Sequence, residues 1–148
     1  MQVASGDGLV TRPDHRSLDT VRLTELFVSL QGEGPFCGLT TTFVRLTGCP
    51  LRCVWCDSAY AFHGGQKYSV ADVVEQVKAK DAGYVCVTGG EPLAQKSCPA
   101  LMSALCDAGY SLSLETSGAL DISVVDPRVC IVMDLKAPGS AEAEATHA

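Results

Sequence analysis

Three closely spaced cysteines, Cys49, Cys53 and Cys56, are the residues of this chain best suited to chemistry. Their spacing, Cys-x3-Cys-x2-Cys, provides three soft thiolates, the ligand type that iron–sulfur clusters use. Each thiolate can bind one iron of a 4Fe–4S cluster, which leaves the fourth iron without a protein ligand and open to another molecule. The spacing therefore predicts a 4Fe–4S cluster with one open coordination position.

Zinc binding and disulfide formation are the alternatives for the same thiols. A structural zinc site takes four ligands, and the nearest candidate for the fourth, His63, lies in a Gly-rich loop without an evident partner for its second ring nitrogen. Disulfide pairing would leave one of the three cysteines unpaired. We therefore favour the cluster.

Arg45 and the Gly-Gly-Glu turn that ends in Glu91 are further candidates for ligand binding. Arg45 lies in the middle of a predicted strand, where a guanidinium needs an anionic partner: either a ligand carboxylate or a residue such as Glu25. The two glycines before Glu91 allow close approach of a ligand to the backbone, and Glu91 could bind a cationic amine, although an ordinary strand-to-helix turn is the alternative.

Polar pairs follow the last cysteine and the last predicted strand. Asp57 and Ser58 could help bind a hard cation, or could form a helix N-cap. Asp134 and Lys136 could bind a zwitterion, or could pair with each other. Trp55 could pack over a cofactor or in the core. The other cysteines have no ligand spacing and are expected to be buried apolar residues; they are Cys37, Cys86, Cys98, Cys106 and Cys130.

Composition limits the class of protein. The 148 residues are one domain at most, and 47% apolar with 19% charged residues is sufficient for a packed core. Residues 1–20 are polar, without the apolar stretch of a signal peptide, and no segment is long enough to cross a membrane. We therefore expect a cytoplasmic protein, whose reducing surroundings suit free thiols. The net charge of −6, without a basic run, argues against direct nucleic-acid binding.

Alternating strands and helices indicate an α/β protein with a parallel sheet. Strands are predicted at 21–29, 41–47, 84–88, 111–115 and 129–134. One helix begins at Ser69, and a second has Pro99 in its first turn and ends at Gly109. The chemistry of such sheets collects at the carboxyl ends of the strands, here residues 88–92, 115–118 and 134–136. We expect a flexible arm at 1–20, a core domain at 21–136 and a disordered tail at 137–148.

Taken in order, these motifs resemble the radical SAM (S-adenosylmethionine) superfamily and, within it, the 7-carboxy-7-deazaguanine synthase family. The cysteine motif and Gly-Gly-Glu-Pro at 89–92 are shared across the superfamily. Leu-Gln-Gly-Glu-Gly at 30–34, the strand arginine at 45 and Trp-Cys-Asp-Ser at 55–58 are typical of the narrower family.

The resemblance implies roles for particular residues. Cys49, Cys53 and Cys56 would hold the cluster, and Ser58 would bind Mg²⁺ where the family usually has threonine. SAM would contact Trp55, Cys56, Asp57, Gly90, Asp134, Leu135 and Lys136. A pterin substrate would contact Leu30, Gln31, Gly32, Arg45 and Thr88. No side chain is assigned a direct catalytic step.

The implied activity is that of a lyase of queuosine biosynthesis. It would convert 6-carboxy-5,6,7,8-tetrahydropterin to 7-carboxy-7-deazaguanine with loss of ammonia, after a 5′-deoxyadenosyl radical from SAM has removed a hydrogen atom. A flavodoxin- or ferredoxin-type protein would supply the electron. The alternatives are an activating enzyme for a glycyl radical and a truncated, non-catalytic iron–sulfur homologue.

The implied fold is a partial, open TIM-like barrel of the radical SAM type. The family continues with further strands after the segment that matches 134–136, so this chain is expected to be C-terminally shortened. An unpaired sheet edge would favour pairing with a second copy, and we expect a homodimer.

Overall fold

The computed structural model describes residues 20–145, which contain one six-stranded sheet and two α-helices. The predicted arm at 1–20 therefore lies outside the described residues, except for Thr20. In chain order the elements are β1 Thr20–Leu30, β2 Thr40–Leu46, β3 Gln66–Ser69, α1 Val70–Lys78, β4 Tyr84–Gly89, α2 Cys98–Asp107, β5 Ser111–Thr116 and β6 Cys130–Met133. The predicted elements are confirmed, with ends that differ by one or two residues.

The sheet is mixed and open, with strand order β3-β1-β2-β4-β5-β6. Strands β2, β4, β5 and β6 are parallel, as predicted, whereas β1 runs antiparallel to both β2 and β3. The expectation of an entirely parallel sheet is therefore wrong for β1. A connection of residues 31–39 joins β1 to β2, which is too short for the helical crossover that a parallel pair requires. Strand β3 was not predicted, since its four residues show no apolar alternation.

One face of the sheet is apolar and lies under both helices. Alternate residues of β2, β4 and β5 supply this face, and the helices contribute Val73, Val77, Leu101, Met102 and Leu105, all fully buried. Helix α1 begins where predicted, because the Ser69 hydroxyl accepts a hydrogen bond of 3.0 Å from the Asp72 amide. Because successive strand residues point to opposite faces, the other face of the sheet carries Arg45, Thr88 and Glu115, together with the stacked rings of Phe27 and Phe43.

A β-bulge at Thr24 changes which face the β1 side chains occupy. Leu23 lies opposite Leu46 on the helix side, but the register then shifts and Glu25 lies opposite Arg45. Without the shift Glu25 would lie opposite Val44, a buried residue of the apolar face. The bulge therefore places Glu25 on the face of the sheet that carries Arg45.

The carboxylate of Glu91 ties the ends of β4 and β5 together. It is fully buried and accepts hydrogen bonds from the Thr116 hydroxyl at 2.9 Å, the Ser117 amide at 2.8 Å, the Ser117 hydroxyl at 2.6 Å and the Leu93 amide at 3.0 Å. Its own amide donates to the Gly48 carbonyl at 2.9 Å. Glu91 therefore holds the fold together, and the expected contact with a ligand amine finds no support.

Residues 137–145 were predicted as part of a disordered tail, but they pack on the loop that carries the cysteines. Ser140 is fully buried, and its carbonyl accepts a hydrogen bond of 3.1 Å from the Val54 amide. The Glu142 carboxylate accepts another, of 2.6 Å, from the Arg52 amide. The composition of this segment suggested disorder because it offers few apolar side chains, but it is held by hydrogen bonds from the cysteine loop to a backbone carbonyl and to a carboxylate.

Replacement of Glu91 should destabilise the protein strongly. We expect Glu91→Ala to lower the free energy of unfolding by about 3–5 kcal/mol, since buried donors lose a charged acceptor. Glu91→Gln keeps one acceptor oxygen and should cost about 1–3 kcal/mol. Urea unfolding of the full chain measures both values. Glu75→Gln, at an exposed position, is the matched control. Equal losses of unfolding free energy in Glu75→Gln and Glu91→Gln would contradict the role of Glu91.

Candidate active site

A cavity of about 710 Å³ lies at the carboxyl ends of the parallel strands. It brings together most of the site residues that the sequence predicted, although they come from the ends of three strands, β2, β4 and β6, and from the cysteine loop. Those that line it are Arg45, Cys49, Cys53, Trp55, Cys56, Asp57, Ser58, Thr88, Gly90, Asp134, Leu135 and Lys136. This is the edge at which α/β sheets bind their ligands.

All three cysteines of the motif are free, half-buried thiols that face this cavity. Burial raises the pKa of the Cys49 thiol, and the negative charge of Glu91 adds to that effect. The loop that carries the cysteines is held from within by Arg52, whose guanidinium donates to the carbonyls of Cys49 at 2.8 Å and Leu51 at 2.6 Å. The thiols are therefore presented on an ordered loop.

Gly90 packs directly against the first cysteine. A Cβ atom at position 90 would lie 2.5 Å from the Cys49 Cβ and 2.7 Å from the Gly48 carbonyl oxygen. No side chain fits there without moving the backbone that carries Cys49. The glycine of the Gly-Gly-Glu turn is therefore required by the close approach of two chain segments at the cavity wall.

Asp134 and Lys136 form an ion pair with each other at the end of β6. The Lys136 side chain is only 15% exposed and lies near Cys49 and Cys53. Burial lowers the pKa of Lys136, but the hydrogen bond and the charge of Asp134 outweigh it, so that the pKa lies above its usual value. The pair places a permanent cation beside the thiols, and the Asp134 carboxylate remains 65% exposed.

Trp55, Asp57 and Ser58 lie on the outer part of the cysteine loop. Trp55 is 59% exposed, so it is not a core aromatic, and its ring lies against Gly139. Ser58 occupies the N-cap position of a short 3-10 helix, Ala59–Phe62, but its side chain makes no capping hydrogen bond. Its hydroxyl lies 3.8 Å from the Cys56 sulfur. The hydroxyl of Ser58 is therefore beside the thiols and not committed to the helix.

Arg45 and Thr88 also line the cavity, at neighbouring positions of β2 and β4. Arg45 is paired with Glu25 through an Nε to Oε1 contact of 2.7 Å, which is the ion pair that the sequence left as an alternative. Tyr60 donates to the same carboxylate oxygen at 2.6 Å. The hydrogen bond from Tyr60, together with that from Arg45, holds the pKa of Glu25 below its usual value against the effect of burial.

Leu30, Gln31 and Gly32 do not line the cavity directly. The Gln31 side chain is buried: its oxygen accepts from the Gly32 amide at 2.7 Å, and its nitrogen donates to Glu115 at 3.2 Å. Leu30 is 64% exposed. Gln31 therefore supports Glu115, which does face the cavity.

Glu33 and Glu115 are cavity residues that the sequence analysis did not assign. Glu115 was recognised only as the end of a predicted strand, and Glu33 only as part of the Leu-Gln-Gly-Glu-Gly match. The two-residue period of β5 places Ser113 and Glu115 on the face opposite the buried Leu112 and Leu114. That alternation was the available signal for Glu115.

The remaining cysteines divide into three groups by burial. Cys86 and Cys98 are buried, as predicted, and burial raises the pKa of each to about 12, so both stay protonated. Cys106 and Cys130 are half-buried. Cys37 is exposed, so its prediction as a buried residue is wrong. A separate cavity of about 480 Å³ beside β1 and β3 contains no cysteine.

The site suits the cofactors that the cysteine motif predicts. Within residues 20–145 no three side chains of the Asp, Glu, His and Cys types are close enough to share one metal ion. A 4Fe–4S cluster makes a different demand, since each thiolate binds its own iron. Three free thiols around one cavity, a glycine that permits close approach and a neighbouring cation fit that group.

Comparison with known proteins agrees with this geometry. A model of the radical SAM superfamily matches residues 43–129. The 7-carboxy-7-deazaguanine synthase of Thermoplasma acidophilum is 42% identical over 120 residues, which are 80% of this chain and 57% of that protein. The protein of the same name from Chlorobaculum tepidum is 45% identical over 120 residues, 81% of this chain and 54% of its own length.

A solved structure is also similar. The crystal structure of QueE from Escherichia coli superposes with a TM-score of 0.73 at 27% identity, covering 80% of this chain and 61% of that one. The chain thus spans little more than half the length of the relatives it matches. None of the helices within residues 20–145 has the length and apolar character needed to cross a bilayer.

The superfamily match covers more than half of the chain, includes all three cysteines and extends over the core of the sheet. It implies a 4Fe–4S cluster and SAM as cofactors, and the open mixed sheet agrees with a partial TIM-like barrel. The chain therefore belongs to the radical SAM superfamily, and within it is similar to the 7-carboxy-7-deazaguanine synthases.

Proposed function

We propose that the protein is a radical SAM lyase that converts 6-carboxy-5,6,7,8-tetrahydropterin to 7-carboxy-7-deazaguanine with loss of ammonia. The observation that carries the proposal is one cavity lined both by three free thiols and by an arginine beside a buried threonine. The thiols suit the cofactors, and the arginine and threonine suit a carboxylated heterocycle. The similarity to synthases of that name supports the same substrate.

The cofactor-binding residues are Cys49, Cys53 and Cys56 for the cluster and neighbouring residues for SAM. When bound, the cluster and SAM supply the one-electron chemistry that removes a hydrogen atom from the substrate. The chain's own part is to hold SAM in place and exclude water. We assign SAM contacts to Trp55, Cys56, Asp57, Gly90, Asp134, Leu135 and Lys136; Lys136 suits a carboxylate and the exposed oxygens of Asp134 suit an amine.

The substrate-binding residues are Arg45 and Thr88, supported by the loop of Leu30, Gln31 and Gly32. Arg45 would bind the substrate carboxylate, and the Thr88 hydroxyl offers a hydrogen bond at the neighbouring strand position. We further propose Mg²⁺ at Ser58, which follows Asp57 in sequence and whose hydroxyl makes no capping hydrogen bond. An ion there would neutralise part of the charge that a carboxylated substrate brings into an acidic cavity.

The electron donor, the cellular compartment and the partner chain are also proposed. A one-electron reductant of the flavodoxin or ferredoxin type would supply the electron, and the reducing cytoplasm suits the free thiols. A second copy of the chain is the simplest partner for the open edge of the sheet at β6. Neither nucleic acid nor a membrane is proposed as a direct partner.

Anaerobic turnover of the pterin tests the function. We expect the reconstituted chain, given SAM, Mg²⁺ and a chemical reductant, to form 7-carboxy-7-deazaguanine and ammonia in equal amounts. The purified product is identified by mass spectrometry. Cleavage of SAM without any conversion of pterin would count against the lyase and favour the activating enzyme of a glycyl radical.

The cluster ligands are tested by substitution of single cysteines. We expect Cys53→Ala to abolish the electron paramagnetic resonance signal of the reduced cluster, because one iron loses its only protein ligand. Cys106→Ala, a half-buried cysteine outside the motif, is the matched control and should keep full iron and sulfide content. A cluster retained in full by both variants would show that the assignment is wrong.

Arg45→Lys tests recognition of the substrate carboxylate. Lysine keeps the charge but lacks the planar pair of donors, so we expect pterin binding to weaken by about 1–3 kcal/mol while SAM binding is unchanged. Titration calorimetry measures both affinities. Arg128→Lys, in an exposed ion pair with Asp107, is the control. If Arg45→Lys weakens the binding of pterin and of SAM equally, Arg45 has only a structural role.

A further inference from the structure

We infer that Glu25 and Tyr60 are positioning residues that set the orientation of the Arg45 guanidinium for a ligand carboxylate. The inference deepens the proposed function and rests on it for the identity of the ligand, a pterin carboxylate. Neither residue was assigned a ligand contact from the sequence, and neither lines the cavity itself. Their effect would pass through Arg45.

The guanidinium is held on three sides. Its Nε donates to Glu25 at 2.7 Å, and its central carbon lies 5.9 Å from the centre of the Phe27 ring and 5.8 Å from that of the Tyr60 ring. Tyr60 is itself fixed by the hydrogen bond of 2.6 Å from its hydroxyl to Glu25. Two aromatic faces and one carboxylate therefore restrict both the position and the plane of the guanidinium.

The Glu25 carboxylate accepts a hydrogen bond from only one nitrogen of the Arg45 guanidinium, Nε. A structural Arg–Glu pair commonly makes two parallel hydrogen bonds, which would occupy two guanidinium nitrogens. Here a single oxygen of Glu25 accepts from Nε, and the same oxygen accepts from Tyr60. Among residues 20–145, neither Nη1 nor Nη2 of Arg45 has a hydrogen-bond acceptor. These two nitrogens form the paired donor that a planar ligand carboxylate requires.

The β-bulge at Thr24 makes this arrangement of side chains possible. The shift in register places Glu25 directly opposite Arg45 and brings Phe27 opposite Phe43, with the two rings stacked at 5.1 Å. With regular pairing Glu25 would face the apolar helices, where a carboxylate has no partner. Bulges are frequent next to active sites, where they redirect a side chain.

Binding of two probes that differ only in the carboxylate tests the inference. The probes are 6-carboxypterin and unsubstituted pterin, and the ratio of their affinities measures recognition of the carboxylate. We expect Glu25→Ala to reduce that ratio about tenfold, mainly through weaker binding of 6-carboxypterin, because the free guanidinium must be ordered on binding. Tyr60→Phe should reduce it by a smaller factor, and Glu25→Gln, which keeps an acceptor oxygen, should retain more of the ratio than Glu25→Ala.

Glu75→Ala is the matched control, since Glu75 also accepts from a cation, Lys78, at 2.6 Å but on the exposed surface of α1. It should leave the ratio unchanged. If Glu25→Ala weakens both probes equally, or changes the ratio no more than Glu75→Ala does, the positioning role is overturned. If the wild type itself binds both probes equally, the proposed substrate is wrong, which is a separate result.

Exchange of the Arg45 Nε–H with water tests the inference without any ligand. In the ligand-free chain the Arg45 Nε–H should give a nuclear magnetic resonance signal that exchanges slowly with water, because Glu25 accepts it beneath two rings. Glu25→Ala should increase its exchange rate at least about tenfold, and Tyr60→Phe less. Equal exchange rates in the wild type and Glu25→Ala would overturn the inference whatever the probes show.

Discussion

The buried carboxylate of Glu91 is the interaction on which the rest of the site depends. A fully buried carboxylate is stable only when hydrogen bonds replace its hydration, and here the donors come from the end of β5 and from the turn after β4. The same residue binds the Gly48 carbonyl through its amide, one position before the first cysteine. Three segments that are distant in sequence are thereby fixed at one edge of the sheet.

This arrangement separates two roles that the Gly-Gly-Glu-Pro motif combines in sequence. Glu91 serves the fold, whereas Gly90 allows the turn to lie against Cys49 and leaves the cavity free. A ligand bound beside the cysteines would meet backbone and not a carboxylate at this point. The amine of SAM would therefore find its acceptors among carbonyl oxygens or at Asp134, whose carboxylate remains largely exposed.

The sequence predicted the elements well because their signals are local. Ser69 as a cap, Pro99 in a first turn and the apolar runs of β2, β4 and β5 each depend on neighbouring residues. The antiparallel course of β1, the bulge at Thr24 and the packing of residues 137–145 depend on pairings across long stretches of sequence, which no local pattern encodes. The site residues divide in the same way: the thiols were recognisable from spacing, whereas Glu115 and Tyr60 acquire their places only through the sheet.

Charge around the cavity places a further constraint on its ligands. Among residues 20–145, the charged side chains that line it are the acids Glu33, Asp57, Glu115 and Asp134 and two cations, Arg45 and Lys136, each already paired with a carboxylate. A carboxylated ligand would therefore be opposed, not attracted, by the average field, and its recognition would have to come from short-range contacts, either directed hydrogen bonds or coordination to a cation. An oriented arginine and a divalent cation beside Asp57 and Ser58 are two ways to supply them. In such a cavity the geometry of Arg45 would matter more to ligand binding than its charge, since an arginine free to move would spend part of its time with the surrounding carboxylates.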